Sequence, residues 1–80
     1  SAFTGYQGKQ LKIWRAEPAM AEDVRGHVPG EILRTEKDCV TVATGQGVLR
    51  IYELQLAGKK RMLAHDFLLG VKMKPGEILG

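Results

Sequence analysis

Cysteine is nearly missing from this chain: Cys39 is the only one among 80 residues, so an intrachain disulfide is excluded and a reducing compartment suits the composition. Histidine is scarce too, and His27 and His65 lie too far apart in sequence to assemble a metal constellation with one thiol. No apolar run approaches the roughly 18 to 20 residues that span a bilayer. The N-terminus also lacks a secretory pattern. These absences predict a cytoplasmic protein with no metal and no membrane partner. A catalytic Cys–His pair is disfavoured, because Cys39 opens the apolar run Cys-Val-Thr-Val-Ala and reads as a small buried core residue. His27 is a lone polar loop residue without a role. No nucleophile, acid–base pair or ligand cluster supports an independent enzyme, so no catalytic residue and no cofactor are assigned to the chain.

A chain of this length forms one domain, 1–80, and buries only about 60 to 65 per cent of its unfolded surface, which leaves no room for a catalytic domain beside a binding domain. It opens on Ser1 and not on an initiator methionine, and reads as a piece of something longer. Net charge is +3, which says little until its distribution is considered. Residues 1–53 carry seven cations and seven anions, whereas residues 54–80 carry five cations against Asp66 and Glu77. The whole excess lies in the last third, the asymmetry expected of a surface that faces nucleic acid.

That last third contains Lys59-Lys60-Arg61, an apolar stretch whose spacing predicts a short helix over 62–69, and a second basic pair, Lys72 and Lys74. Leu63 and Phe67 fall on one helical face, His65 and Asp66 face water, and Gly70 is placed to end the helix in the left-handed conformation. Three cations ahead of a helix oppose its macrodipole. What they offer there is an anion site, with phosphate as the obvious guest.

The rest of the chain reads as strands. Residues 10–16 alternate and predict a strand with Leu11 and Ile13 on one face and Lys12 and Trp14 on the other. Trp14 is expected to cover core rather than to serve as a platform for a base. Residues 17–30, with two prolines and the acidic Glu22-Asp23, read as a loop. Strands are predicted over 31–35, 39–44, 48–56 and 77–79. The phase of Leu49, Ile51, Leu54 and Leu56 slips once, which predicts a bulge near Tyr52-Glu53; Arg50 and Tyr52 then lie outside, near the basic third. Gly45-Gln46-Gly47 joins two strand patterns and is a hairpin turn, not a nucleotide-binding loop. The segment Pro-Gly-Glu-Ile-Leu occurs twice, at 29–33 and 75–79. The two copies read as one turn-to-strand solution used at two corners. This element order predicts an all-β fold with one short helix, a small five- to six-stranded OB-like Greek-key barrel.

Residues 2–4, 8–16, 29–33, 47–50, 54–56, 58–62 (Gly-Lys-Lys-Arg-Met) and 74–80 (Lys-Pro-Gly-Glu-Ile-Leu-Gly), with Asp66, Phe67 and Gly70, resemble the C-terminal domain of methionyl-tRNA formyltransferases. Nothing specific matches over residues 17–28, and Leu63 stands where that family usually places a helix-capping serine. The resemblance implies a bacterial or organellar parent enzyme that transfers a formyl group from 10-formyltetrahydrofolate to the methionine carried by initiator tRNA. Its folate site and catalytic Asn, His and Asp are expected in a separate N-terminal Rossmann-like domain, so His65 and Asp66 are not those residues. This domain is then expected to hold tRNA by sequence-independent phosphate contacts from Lys59, Lys60, Arg61, Lys72, Lys74 and Arg50, with tRNA and its own catalytic domain as partners. The alternative is a packing domain, as in formyltransferases that act on nucleotide sugars or in folate-linked relatives.

Overall fold

The computed structural model describes residues 2–20 and 23–80; Ser1, Ala21 and Glu22, the last two inside the predicted loop, lie outside the described residues. Six strands and one helix follow in order: β1 (Ala2–Tyr6), β2 (Lys9–Ala19), β3 (Ile32–Thr35), β4 (Val40–Ala43), β5 (Val48–Leu56), β6 (Met62–Leu63) and α1 (Ala64–Gly70). All pairings are antiparallel and the sheet order is β1-β2-β5-β4-β3, with β6 added to β5. A long connection from β2 leads to the consecutive antiparallel strands β3-β4-β5, the last of which lies beside β2, a Greek-key order. The expected small barrel-like all-β fold with one short helix is therefore present. No helix among the described residues is long and apolar enough to cross a membrane.

Several expectations are corrected. Residues 2–6, to which the sequence reading assigns no element, form β1: they pair with the first half of β2 across a tight turn in which Gln7 and Gly8 both take positive φ, 51° and 80°. β2 runs on to Ala19 and so absorbs the start of the predicted loop. Pro18, opposite Leu49, is tolerated because β1 pairs no further along β2 than Ile13, so one side of β2 is an edge there. The helix begins at Ala64, because Met62 and Leu63 pair with Leu54 and Glu53 as β6. Its first turn has no side-chain cap at Leu63, and the extended residue Val71 follows Gly70. Gly70 is not left-handed; the chain leaves α1 as a strap whose Val71 and Met73 pack on the core. The predicted strand at 77–79 is reduced to a single bridge, Glu31 to Ile78.

That bridge explains the repeated pentapeptide. Pro29-Gly30 and Pro75-Gly76 sit in equivalent tight turns with Gly30 at φ 93° and Gly76 at φ 94°. In each, the glutamate N–H donates to the carbonyl three residues back, Glu31 to Val28 at 3.0 Å and Glu77 to Lys74 at 3.2 Å. Each carboxylate also accepts that same residue's N–H, at 3.2 Å for Val28 and 2.7 Å for Lys74. Proline presets the first turn position, glycine supplies the positive φ of the second, and glutamate caps the turn. The two copies then pair with each other: Ile32 N donates to Glu77 O at 2.7 Å, Leu79 N to Gly30 O at 2.8 Å and Gly76 N to Ile32 O at 2.8 Å. Gly80 N reaches Gly5 O at 2.8 Å, so the C-terminal segment bridges the two sheet edges, β3 and β1. They are one seam and not two corners.

Inside lie Leu11, Ile32, Val40, Ile51, Leu54 and Phe67, all at most 1 % exposed. α1 contributes Ala64 and Phe67 to this core. Cys39 is buried as expected, and burial pushes its thiol pKa up. Tyr6 closes the core beside the seam. Its hydroxyl donates to Glu77 Oε1 at 2.9 Å, and burial, with Glu77 beside it, pushes its pKa up to about 12. A raised folded value stabilises the fold fully below the unfolded value near 10 and loses that contribution as pH rises to about 12. Tyr6→Phe should cost about 1.5–3 kcal/mol at pH 7, the size of a hydrogen bond to a charged group. It should also flatten the alkaline loss of stability. Thermal melts at pH 7 and across pH 9 to 12 check both; an unchanged alkaline profile would exclude Tyr6 as its source.

Candidate nucleic-acid interface

The bulge predicted near Tyr52-Glu53 is present and has a partner. Register shifts on either side of Arg15 leave Trp14 unpaired on β2 and Tyr52 unpaired on β5, after which the original register resumes. Each bulge turns two consecutive side chains outward between core positions. On β2 these are Trp14 and Arg15, between Ile13 and Ala16, which pack on the core; on β5 they are Tyr52 and Glu53, between buried Ile51 and Leu54. The paired bulges thus build a cation–aromatic patch on the outer face of β2 and β5.

Trp14 is the centre of that patch. It is 36 % exposed and, opposite Leu11 and Ile13 in the strand alternation, packs on the outer face against Lys12 and Arg61 and not on the core as expected; the bulge keeps Arg15 on that same face. Arg61 Cζ stands 4.2 Å and Lys12 Nζ 4.9 Å from its ring centroid. Lys12 also lies 5.3 Å from the exposed Phe3 ring, and Arg15 covers Tyr52 at 5.0 Å. The indole N–H donates to Gln55 Oε1 at 3.1 Å, and Gln55 Nε2 donates to the Lys59 carbonyl at 3.0 Å. Gln55 therefore ties the ring to the basic turn. Glu53 holds Arg61 through Nε at 2.6 Å, and Arg61 in return keeps the Glu53 carboxyl below the usual carboxylate range.

Lys59, Lys60 and Arg61 occupy the loop of the β5–β6 hairpin, not a helix start. β6 intervenes before α1, which removes the predicted anion site of helix N–H groups. The tight turn closed by Lys59 N to Leu56 O at 2.9 Å, with Gly58 at φ 85°, presents all three to solvent. This loop lies at the end of the fold that carries the β1–β2 tip, since Ala57 N donates to Gln10 O at 2.9 Å. Lys74 reaches the same end, because the carboxylate that caps its turn also accepts from Tyr6 and Gln7. Lys72 is exposed two residues earlier on the strap. Arg50 is elsewhere: it pairs with Glu17 and Thr41, six residues up β5 from Leu56, roughly 20 Å away at about 3.3 Å per residue. Among the described residues Lys12, Lys59, Lys60, Lys72 and Lys74 form no ion pair.

Charge counting missed Lys12, Arg15 and Trp14 because they belong to the neutral part of the chain. The shared outer face of Lys12 and Trp14 in the strand pattern was the signal that could have found them. No group of three or more metal-ligating side chains is found among the described residues. The surface offers fixed aromatic faces, free ammonium groups and one held guanidinium, a combination suited to phosphates and exposed bases.

Comparison with known proteins identifies the family. The family described as formyl transferase, C-terminal domain, matches residues 1–72. A methionyl-tRNA formyltransferase of Alkaliphilus oremlandii is 46 % identical over 80 residues, covering the whole chain but 25 % of that protein. Those of Magnetococcus marinus and Bacillus velezensis are 46 % and 41 % identical over 80 residues, each covering 99 % of this chain, with 24 % and 25 % of their own lengths matched. The chain spans about a quarter of the length of these relatives. It belongs to the family of formyl transferase C-terminal domains.

Proposed function

We propose that this domain is the tRNA-holding part of a methionyl-tRNA formyltransferase. In this reading it grips the tRNA backbone through Lys59, Lys60, Arg61, Lys72 and Lys74, joined by Lys12 beside Trp14. Formyl transfer from 10-formyltetrahydrofolate belongs to a separate catalytic domain, and this domain supplies no catalytic residue and binds no cofactor. Its contribution is orientation, since a held acceptor stem reaches the reacting centre with its translational freedom already lost. The observation that carries the reading is a set of lysines without carboxylate partners, Lys59, Lys60, Lys72 and Lys74 exposed and Lys12 half-buried, three of them next to or at a hairpin loop anchored to an outward-facing indole. Backbone contacts of this kind position a nucleic acid without reading its sequence.

The test is a titration of the 80-residue chain with tRNA across salt. Three to five phosphate contacts predict that log K falls by roughly 2 to 4.5 per unit of log salt, with affinities of about 10⁻⁴ to 10⁻⁶ M at physiological salt. Trp14, the only tryptophan, should report binding through a change in its fluorescence. The alternative, a packing domain that never touches RNA, predicts no binding even in low salt. An apolar hollow of about 280 Å³ between Thr4, Ile13, Pro29, Leu49 and Leu79 favours a protein contact as an additional role at that surface.

A further inference from the structure

A groove of about 300 Å³ opens between the paired bulges and the start of α1, lined by Arg15, Asp38, Tyr52, Leu63 and His65. Five different elements or turns meet here, and none of these side chains is needed for the core. The Arg15 guanidinium lies over the Tyr52 ring, 5.0 Å from its centroid, and the two make a cation–aromatic pair on one side of the groove. Leu63, 49 % exposed, adds apolar surface. Asp38 has no hydrogen-bond or ion-pair partner among the described residues, although Arg15 lines the same groove. The His65 ring is held by Asp66 at 3.3 Å.

We propose that this groove takes a single unpaired nucleotide, with its base stacked against the Arg15–Tyr52 pair and its donor edge read by Asp38. The volume is at the lower limit of small-molecule sites, about 300 Å³, and suits one nucleotide rather than an extended strand. Stacking on an aromatic or guanidinium plane is the general way in which proteins hold a splayed-out base. A carboxylate only accepts hydrogen bonds, and its two oxygens match two adjacent N–H donors. Guanine alone presents N1–H and N2–H₂ side by side on its pairing edge, so guanine is the base selected. This inference rests on the RNA-holding reading and adds to it a base preference that phosphate contacts cannot provide.

The discriminating experiment measures anisotropy of the 80-residue chain with three octamers, oligouridine and its single guanosine- and single adenosine-substituted forms, together with tRNA and guanosine 5′-monophosphate. The guanosine octamer should bind about tenfold more tightly than the other two. That ratio should hold across salt concentrations, because all three carry the same phosphates. Asp38→Asn should bring guanosine and adenosine to within about twofold of each other, and Tyr52→Ala should weaken binding of the guanosine octamer about 5- to 100-fold. Asp38 is exposed, so its variant keeps the test valid even where Tyr52→Ala disturbs the fold. Binding of tRNA with no guanosine preference, or a preference that survives Asp38→Asn, overturns the groove assignment and leaves the RNA-holding role intact. Binding of the monophosphate, abolished by Asp38→Asn, without binding of tRNA would uphold the groove and overturn the RNA-holding role.

Discussion

Gly30→Ala is expected to destabilise the domain by roughly 3 kcal/mol or more, lowering its thermal midpoint by about 10 to 25 °C. Gly30 sits at φ 93°, and a Cβ there would meet the Leu79 carbonyl oxygen. The backbone conformation alone costs an alanine about 1–2 kcal/mol. Gly30 cannot move away, because its N–H is bonded to Ala43 O at 2.9 Å and its carbonyl accepts Leu79 N–H at 2.8 Å. Leu79 cannot yield either: its side chain is buried and Gly80 after it is tied to Gly5. The added methyl must therefore open the seam that joins β3 to the C-terminal segment. Gly58→Ala is the control, since Gly58 has a similar φ of 85° with nothing within 4 Å. It should cost only the conformational term, about 1–2 kcal/mol. Equal melting of the two variants would show that the seam contributes nothing special to stability.

Joint replacement of Lys59, Lys60 and Lys74 by alanine should weaken tRNA binding roughly 100- to 500-fold at about 0.1 M salt. The estimate follows from counterion release: each lost phosphate contact removes about 0.7 to 0.9 from the log–log salt slope, a factor of about five to eight at that concentration. The slope itself should become shallower by about 2 to 2.7. Thermal stability should stay within about 0.5 kcal/mol, because all three side chains are exposed and unpaired. Arg61 is left out of this set on purpose. It is held by Glu53 and stacked on Trp14, so its removal would mix local structure with RNA contact. Arg50→Ala provides the spatial control. Near Glu17 and Thr41 and not beside the basic loop, it should change tRNA affinity by less than about twofold. An unchanged salt slope in the triple variant would remove the lysines from the RNA contact.

Much of the strand content was legible because burial of one sheet face imposes a two-residue alternation that a sequence displays directly. β5 was readable to its ends, and its broken phase announced the bulge. The helix was placed two residues early, because Met62-Leu63 is equally apolar in a strand and only pairing with Leu54 and Glu53 selects β6. β1 carries glycine and threonine with little alternation, and it exists because β2 offers it a partner and Gly80 N–H reaches Gly5. The basic loop was identified from its charges alone. Its neighbours Lys12 and Trp14, some 45 residues away in the chain, were not, since nothing local records which strands become adjacent.

Composition, periodicity and turn residues, all local properties of the chain, were enough to specify a small β-rich domain, its hairpins, a basic C-terminal third and two identical Pro-Gly-Glu turns. Which segments meet was decided by tertiary structure: the two turns pair with each other, paired bulges push Trp14, Arg15, Tyr52 and Glu53 outward together, and Arg50 stands apart from the lysines it was grouped with. The division has one physical cause. Backbone preference and burial of a face act over a few residues, whereas register, closure and the convergence of charges depend on pairings between distant segments, which form only when the shared core is enclosed.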